Sequence, residues 1–207
     1  MNLILEKCSE NLKTIALELK QELQLDGGNG NVVLLAKERL EPGFWLDMKD
    51  GTAELRYGSI PALCRGLLTI YSVKEDTYHC EESPCCKEMG YMIDCSRNAV
   101  IRLEQLKKMI RVLALMGYTY VGLYMEDTVA VEEEPYLGYM RGAMTPAELK
   151  EADAYATQFG MEIRPYIQTL AHLNQITRYE HYYDMIDCDD ILLAGSGKTY
   201  EFLEHLI

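Results

Sequence analysis

Nowhere does the sequence approach the roughly 20 consecutive apolar residues that a membrane-crossing helix needs, and no such span is expected in its 207 residues. A basic leader is missing as well. Met1-Asn-Leu-Ile-Leu5 runs directly into Glu6 and Lys7, an apolar segment too short for a secretory signal and without its positive flank. The seven cysteines, at 8, 64, 80, 85, 86, 95 and 188, are odd in number and follow no regular framework. Reduced thiols and a cytoplasmic location are the simplest expectation. Basic residues are scarce: 20 Lys and Arg stand against 33 Asp and Glu, a formal net charge of -13. That excess repels phosphate backbones and anionic lipid, so neither nucleic acid nor membrane is expected as a partner. A neutral ligand is compatible with it.

The hydrophobic fraction, 48%, suffices for a real core in one ordinary domain or two small ones. Leu5, Cys8, Leu12, Ile15, Leu19 and Leu23 recur at three- and four-residue steps, the stripe of a helix that should stop near Asp26-Gly27-Gly28-Asn29-Gly30. Short β-prone runs follow at Val32 to Ala36, Gly43 to Met48 and Thr52 to Tyr57, divided by Pro42-Gly43 and by the hairpin signal Asp50-Gly51. A helix from about Pro61 to Val73 completes a small α+β domain over residues 1–87, with His79 to Lys87 read as a polar linker.

From residue 88 to 207 the rhythm becomes short strand, then longer helix, the pattern of βα units on a parallel sheet. Tyr91 to Asp94, Tyr118 to Tyr124 and Met161 to Tyr166 are the expected strands, with Pro165 marking the end of the third. Leu103, Leu106, Ile110 and Leu113 mark a helix closed at Gly117. Thr145-Pro146-Ala147-Glu148 supplies an N-cap, a first-turn proline and a capping-box glutamate for a helix running to Phe159 and stopping at Gly160. A helical tail, Thr199 to Leu206, is expected at the end.

Polar residues gather where each strand runs out: Asp94 and Arg97, then Glu126 and Asp127, then Gln168 and His172. In βα architectures the loops beyond the carboxyl ends of the strands share one rim, so such residues converge on a ligand. Capping helices and closing loops is the competing use for each. An arginine in that position either grips adjacent oxygens with its fixed fork of donors or pairs with the nearby Asp94.

Gly90-Tyr-Met-Ile-Asp94-Cys-Ser-Arg97-Asn98, Leu123-Tyr-Met-Glu126-Asp127-Thr128, Pro135-Tyr136-Leu-Gly138-Tyr139-Met-Arg141-Gly142 and Gln168-Thr-Leu-Ala-His172 resemble the opening barrel segments of family 20 glycoside hydrolases. The likeness is closest to a bacterial branch of β-N-acetylhexosaminidases, covers about residues 88–207 well and covers the preceding domain weakly. It implies an α/β fold in which a small α+β domain precedes the first three βα units of a TIM-type barrel, incomplete in this chain since such barrels close with eight. It also implies a glycan bearing N-acetylhexosamine as partner, no cofactor, and a role for Arg97, with Asp94, Tyr136 and Tyr139, in holding the sugar. Asp127 and His172 would form a relay beneath the catalytic acid, the carboxylate fixing the imidazole tautomer. The family's reaction is substrate-assisted: the sugar's own acetamide attacks, an Asp polarises it, and the adjacent Glu protonates the leaving oxygen. No Asp-Glu dipeptide occurs in this sequence, and Glu126-Asp127 has the reverse order. The implication is a chain with sugar-binding residues and no cutting pair; the alternative is a non-catalytic binding or assembly module that self-associates through open strand edges.

Two other signals are weaker. Gly195-Ser196-Gly197-Lys198-Thr199 lacks the earlier glycine of a phosphate-binding loop, Leu192 standing there. His79, Cys80, Cys85 and Cys86 lack zinc-ligand spacing, and no metal is expected. The tyrosines at 118, 120 and 124 read as strand packing, whereas Tyr136 and Tyr139 lie in a loop where they could meet a ligand.

Overall fold

A computed structural model describes residues 2–23 and 30–207. The Asp26 to Gly30 stop expected for the first helix lies largely outside the described residues. Within them the chain separates into two compact units, the first built from residues 1–91, 106–120 and 155–162 and the second from 92–105, 121–154 and 163–207.

The first unit is organised by a five-stranded sheet. Strands β1 (Asn2–Ile4), β2 (Asn31–Glu38), β3 (Phe44–Lys49), β4 (Thr52–Tyr57) and β5 (Tyr78–Glu82) lie in the order β1-β2-β4-β3-β5. β1, β2 and β4 run parallel, while β3 is antiparallel to β4 and to β5. Alternation explains the pleat: Ala53, Leu55 and Tyr57 of β4 are buried, as are Phe44, Leu46 and Met48 of β3. Asp50 and Gly51 take the left-handed conformation, φ 50 and 72, that a tight hairpin between β3 and β4 requires. Helices α1 (Glu10–Lys20) and α2 (Ile60–Ser72) supply Leu12, Ile15, Leu19, Leu63, Leu67 and Ile70 to the core. Gly66 lets α2 lie against β4, since a Cβ there would stand 2.6 Å from a methyl of Leu55.

Two expectations are corrected in this unit. The helical stripe was expected from Leu5, but Asn2–Ile4 pair with β2 and α1 begins only at Glu10. Ser9 decides the boundary: its hydroxyl accepts from the Leu12 amide at 3.3 Å, the cap that periodicity alone does not show. The stretch His79 to Lys87 was expected as a linker, yet Tyr78–Glu82 form the edge strand β5, hydrogen-bonded to β3. Its polar residues suit an edge with a single neighbour.

Strands β6 (Gly90–Asp94), β7 (Tyr120–Glu126) and β8 (Glu162–Ile167) form a separate sheet in that order. The Thr119 amide donates to the Met89 carbonyl and the Cys95 amide to the Tyr124 carbonyl, both at 2.8 Å. Starts pair with starts and ends with ends, so β6 and β7 are parallel. Pro165 does not end β8, which continues to Ile167; as an outer strand it tolerates a residue with no amide proton. Helix α3 (Leu103–Leu115) is followed by Gly117 at φ 83.

In the second unit, Thr145 and Glu148 make the reciprocal cap of helix α4 (Pro146–Thr157), the carboxylate accepting from the Thr145 amide and the Glu148 amide donating to the threonine hydroxyl. The rest of the unit is loop-rich: a short helix α5 (Asn174–Thr177), a 3-10 turn (Glu180–Met185), a hairpin of β9 (Ile186–Cys188) and β10 (Ile191–Leu192), and helix α6 (Gly197–Leu206). Leu137, Leu173, Ile176, Tyr182, Met185, Phe202 and Leu206 form its apolar core. Buried Glu134 receives His205 of α6 at 2.8 Å, tying that helix down.

Candidate functional site

The three strand ends do not contribute in the same way. After β6, the Asp94 carboxylate turns back on its own loop, accepting from the amides of Ser96 at 2.8 Å and Arg97 at 3.0 Å and from the Ser96 hydroxyl. Those donors, the Arg97 and Ser96 amides foremost, hold it below the usual carboxylate range. Asp94 therefore closes a turn, and the pairing with Asp94 that was the competing use of Arg97 gives way to a different one.

The Arg97 guanidinium donates instead to Glu126 at 2.8 Å. Glu126, the last residue of β7, is 5% exposed and sits at φ 48, a left-handed conformation that is costly for a residue with a Cβ. The same carboxylate oxygen accepts from the Tyr124 hydroxyl at 3.0 Å, and that hydroxyl accepts from the Gln168 amide at 2.8 Å. One hydrogen-bonded chain thus links residues at the ends of β6, β7 and β8. Sequence reasoning set Glu126 aside because its order relative to Asp127 is wrong for a cutting pair. The available signal was different: Tyr124 and Glu126, two apart on a strand, share a face.

Asp127 is 2% exposed and is met by Arg141 at 3.3 Å. Burial raises its carboxyl above the ordinary value, and the Arg141 charge opposes that shift. The Arg141 guanidinium also donates to the Ser96 carbonyl. His172 stands at φ 60 with its side chain exposed, its Nδ1 3.8 Å from Asp190. The two residues expected as a relay therefore have different partners here, Arg141 for one and Asp190 for the other.

A cleft of about 830 Å³ opens beside this network, lined by residues 95–103 and by Glu126, Met140 to Gly142, Met144, Glu148, Asn174 and Gln175. Of the residues expected at the site, Arg97 lines it; Asp94, Asp127, His172, Tyr136 and Tyr139 are not among its walls. Glu126 and Arg141 are. Tyr136 stacks on Tyr179 with centroids 4.7 Å apart and meets Tyr139 edge-on at 6.0 Å, so both belong to an aromatic cluster. They keep 37% and 50% of their surface exposed. Among the described residues, no group of three or more His, Cys, Asp or Glu is placed to hold a metal ion, and no helix is long and apolar enough to cross a membrane. Chemically, the cleft offers guanidinium donors beside a carboxylate acceptor, a set suited to hydroxyls and amides.

This arrangement of sheets and helices is shared with solved glycoside hydrolases of family 20. The exo-β-N-acetylglucosaminidase of Vibrio harveyi, solved with N-acetylglucosamine, matches with a TM-score of 0.77 at 18% identity, over 99% of this chain and 40% of that one. The N-acetyl-β-hexosaminidase of Streptomyces plicatus matches with a TM-score of 0.76 at 19% identity, over 99% and 51%. The Flavobacterium johnsoniae chitobiase gives 0.71 at 16%, over 99% and 38%. At these identities the fold is what is shared, and the chain spans between 38% and 51% of the length of these solved chains. No protein-family model matches the chain, and no curated protein does.

Proposed function

We propose that this chain is the sugar-binding portion of a glycoside hydrolase that releases terminal β-linked N-acetylhexosamine by substrate-assisted catalysis. The observation that carries this reading is the chain from Arg97 through Glu126 and Tyr124 to Gln168, beside a cleft and on a fold held in common with family 20 enzymes. Arg97 donates to hydroxyls of the terminal sugar; Asp94 fixes the loop that presents it. Tyr136 and Tyr139 offer exposed ring faces to the glycan, an apolar contact that sugar rings accept. In the complete enzyme Asp127, faced by Arg141, is one member of a relay whose other member is His172. The barrel of eight strands that this function requires is entered here through its first three βα units.

The sequence has no Asp-Glu pair, so the chain by itself binds and does not cut. Titration with N-acetylglucosamine, followed by NMR, should shift signals around Arg97 and Glu126, and Arg97→Ala should abolish those shifts. Unchanged binding by that variant defeats the assignment. Turnover of 4-nitrophenyl N-acetyl-β-glucosaminide by the purified chain would place a competent acid within these residues and overturn the division of labour.

A second reading, a non-catalytic module that self-associates, draws on the outer strands. β6 and β8 bound their sheet, and Tyr91 and Met92 of β6 are 45% and 52% exposed. Sizing chromatography separates the readings: a discrete, well-folded oligomer supports the module.

A further inference from the structure

We propose that Cys85 and Cys86 form a two-sulfur capture site for trivalent organoarsenicals, whose organic group lodges in the apolar cleft beside them. Both cysteines are exposed. Both line a cleft of about 730 Å³ in the first unit, whose walls include Phe44, Pro61, Pro84 and Met89. The Cys85 side chain beside it, foremost, and then burial push the Cys86 thiol above its ordinary value.

Adjacency decides what the pair can hold. Consecutive Cα atoms stand about 3.8 Å apart, closer than the roughly 4.4 Å at which ordinary disulfides begin, so closing the sulfurs to about 2 Å is strained. A single atom bridging both sulfurs leaves them farther apart and avoids that strain. With an arylarsine oxide, two As–S bonds form as the arsenic–oxygen bond is lost. The two thiol protons leave with the oxygen as water, and arsenic stays trivalent. The remaining cysteines lack this arrangement: Cys188 is exposed but has no adjacent cysteine, while Cys64, wholly buried, has its thiol pushed up to about 12 by desolvation.

The test uses the whole chain with phenylarsine oxide, read by intact mass. One adduct per chain should survive excess 2-mercaptoethanol and be stripped by 1,2-ethanedithiol. Cys85→Ser and Cys86→Ser should each weaken retention by about a hundredfold or more, the gain that an intramolecular second ligand supplies. Cys188→Ser should leave retention unchanged. Pro84→Asp, at the exposed rim, should weaken the phenyl compound and spare inorganic arsenite. An adduct lost to monothiol, or retained equally in both serine variants, overturns the site; equal loss of the two arsenicals in Pro84→Asp overturns the role of the cleft.

Discussion

The two units spend their sequence differently. In the first, buried side chains are almost wholly apolar, and among the described residues Thr69 alone represents buried polar groups. In the second lie Ser96, Glu126, Asp127, Thr128, Glu134, Thr177 and Thr199, all buried. Backbone strain follows the same division: the first unit has Asp50 as its non-glycine residue at positive φ, in a hairpin, whereas Glu126, Met140, His172 and Asp189 fall in the second. Burying a carboxylate and holding a left-handed backbone both cost free energy that packing elsewhere must offset. Such costs are kept where a site needs fixed polar atoms, so the contrast supports the proposed placement of the site in the second unit.

The two units should therefore fail for different reasons. The largest effect belongs to the first. Leu55 is fully buried beneath α2, and Leu55→Ala should lower unfolding stability by roughly 2–5 kcal/mol, the cost of lost burial plus a cavity. Urea denaturation measures it, and the loss should show no dependence on pH between 4 and 7, since no charge is involved.

In the second unit the next effect should depend on pH. Arg141→Ala leaves the Asp127 carboxylate buried without its opposing charge, costing roughly 1–3 kcal/mol at neutral pH. Burial already places Asp127 above its unfolded value. A carboxyl raised in this way favours folding below its unfolded value, and that contribution is lost as pH rises through the folded value. The variant raises it further, so its deficit should be greatest at neutral pH and shrink as acid protonates Asp127. A deficit that is the same at pH 4 and pH 7 would assign Arg141 to packing.

Capping gives a smaller, local test. Thr145→Ala removes the hydroxyl that caps α4 and one of the two donors that residue 145 offers Glu148, and should cost about 1 kcal/mol. The Thr145 amide and hydroxyl hold Glu148 below the usual range. Its contribution is present above the unfolded value and lost as pH falls through the folded one, a loss that the variant should show in smaller measure because the backbone amide at 145 still donates to Glu148.

Legibility in the sequence divides along similar lines. Strands β3 and β4 and the Asp50-Gly51 turn were readable because alternation and turn chemistry are local, as was the Thr145–Glu148 cap. β1 has three residues, too few for periodicity, and β5 hid because Tyr78-His-Cys-Glu-Glu82 is mostly polar although its burial alternates. At the site, Arg97 was readable from its place after a strand, but its partner was not. Asp94 is consumed by the amides of its own loop, and Glu126 was legible only through the strand face it shares with Tyr124. His172 shows the converse: the family resemblance implied Asp127 as partner, and the chain geometry supplies Asp190.

The smallest expected effect on stability sharpens the comparison most. Arg56 of β4 reaches Glu54 at 2.6 Å and lies over the Trp45 ring at 4.7 Å, and Arg97 reaches Glu126 at 2.8 Å. The two ion pairs look alike by distance. Arg56 and Glu54 are both about half exposed, so water screens them, whereas Glu126 is 6% exposed beneath an open Arg97. Arg56→Ala should cost no more than about 1 kcal/mol and leave sugar binding untouched. Arg97→Ala should likewise disturb the fold little, because Tyr124 still donates to Glu126. It should nonetheless remove N-acetylglucosamine binding, since the donors facing the cleft go with it. Urea midpoints and NMR titrations on the two variants read both quantities; loss of binding in Arg56→Ala, or its survival in Arg97→Ala, would erase the distinction between a scaffold and a site.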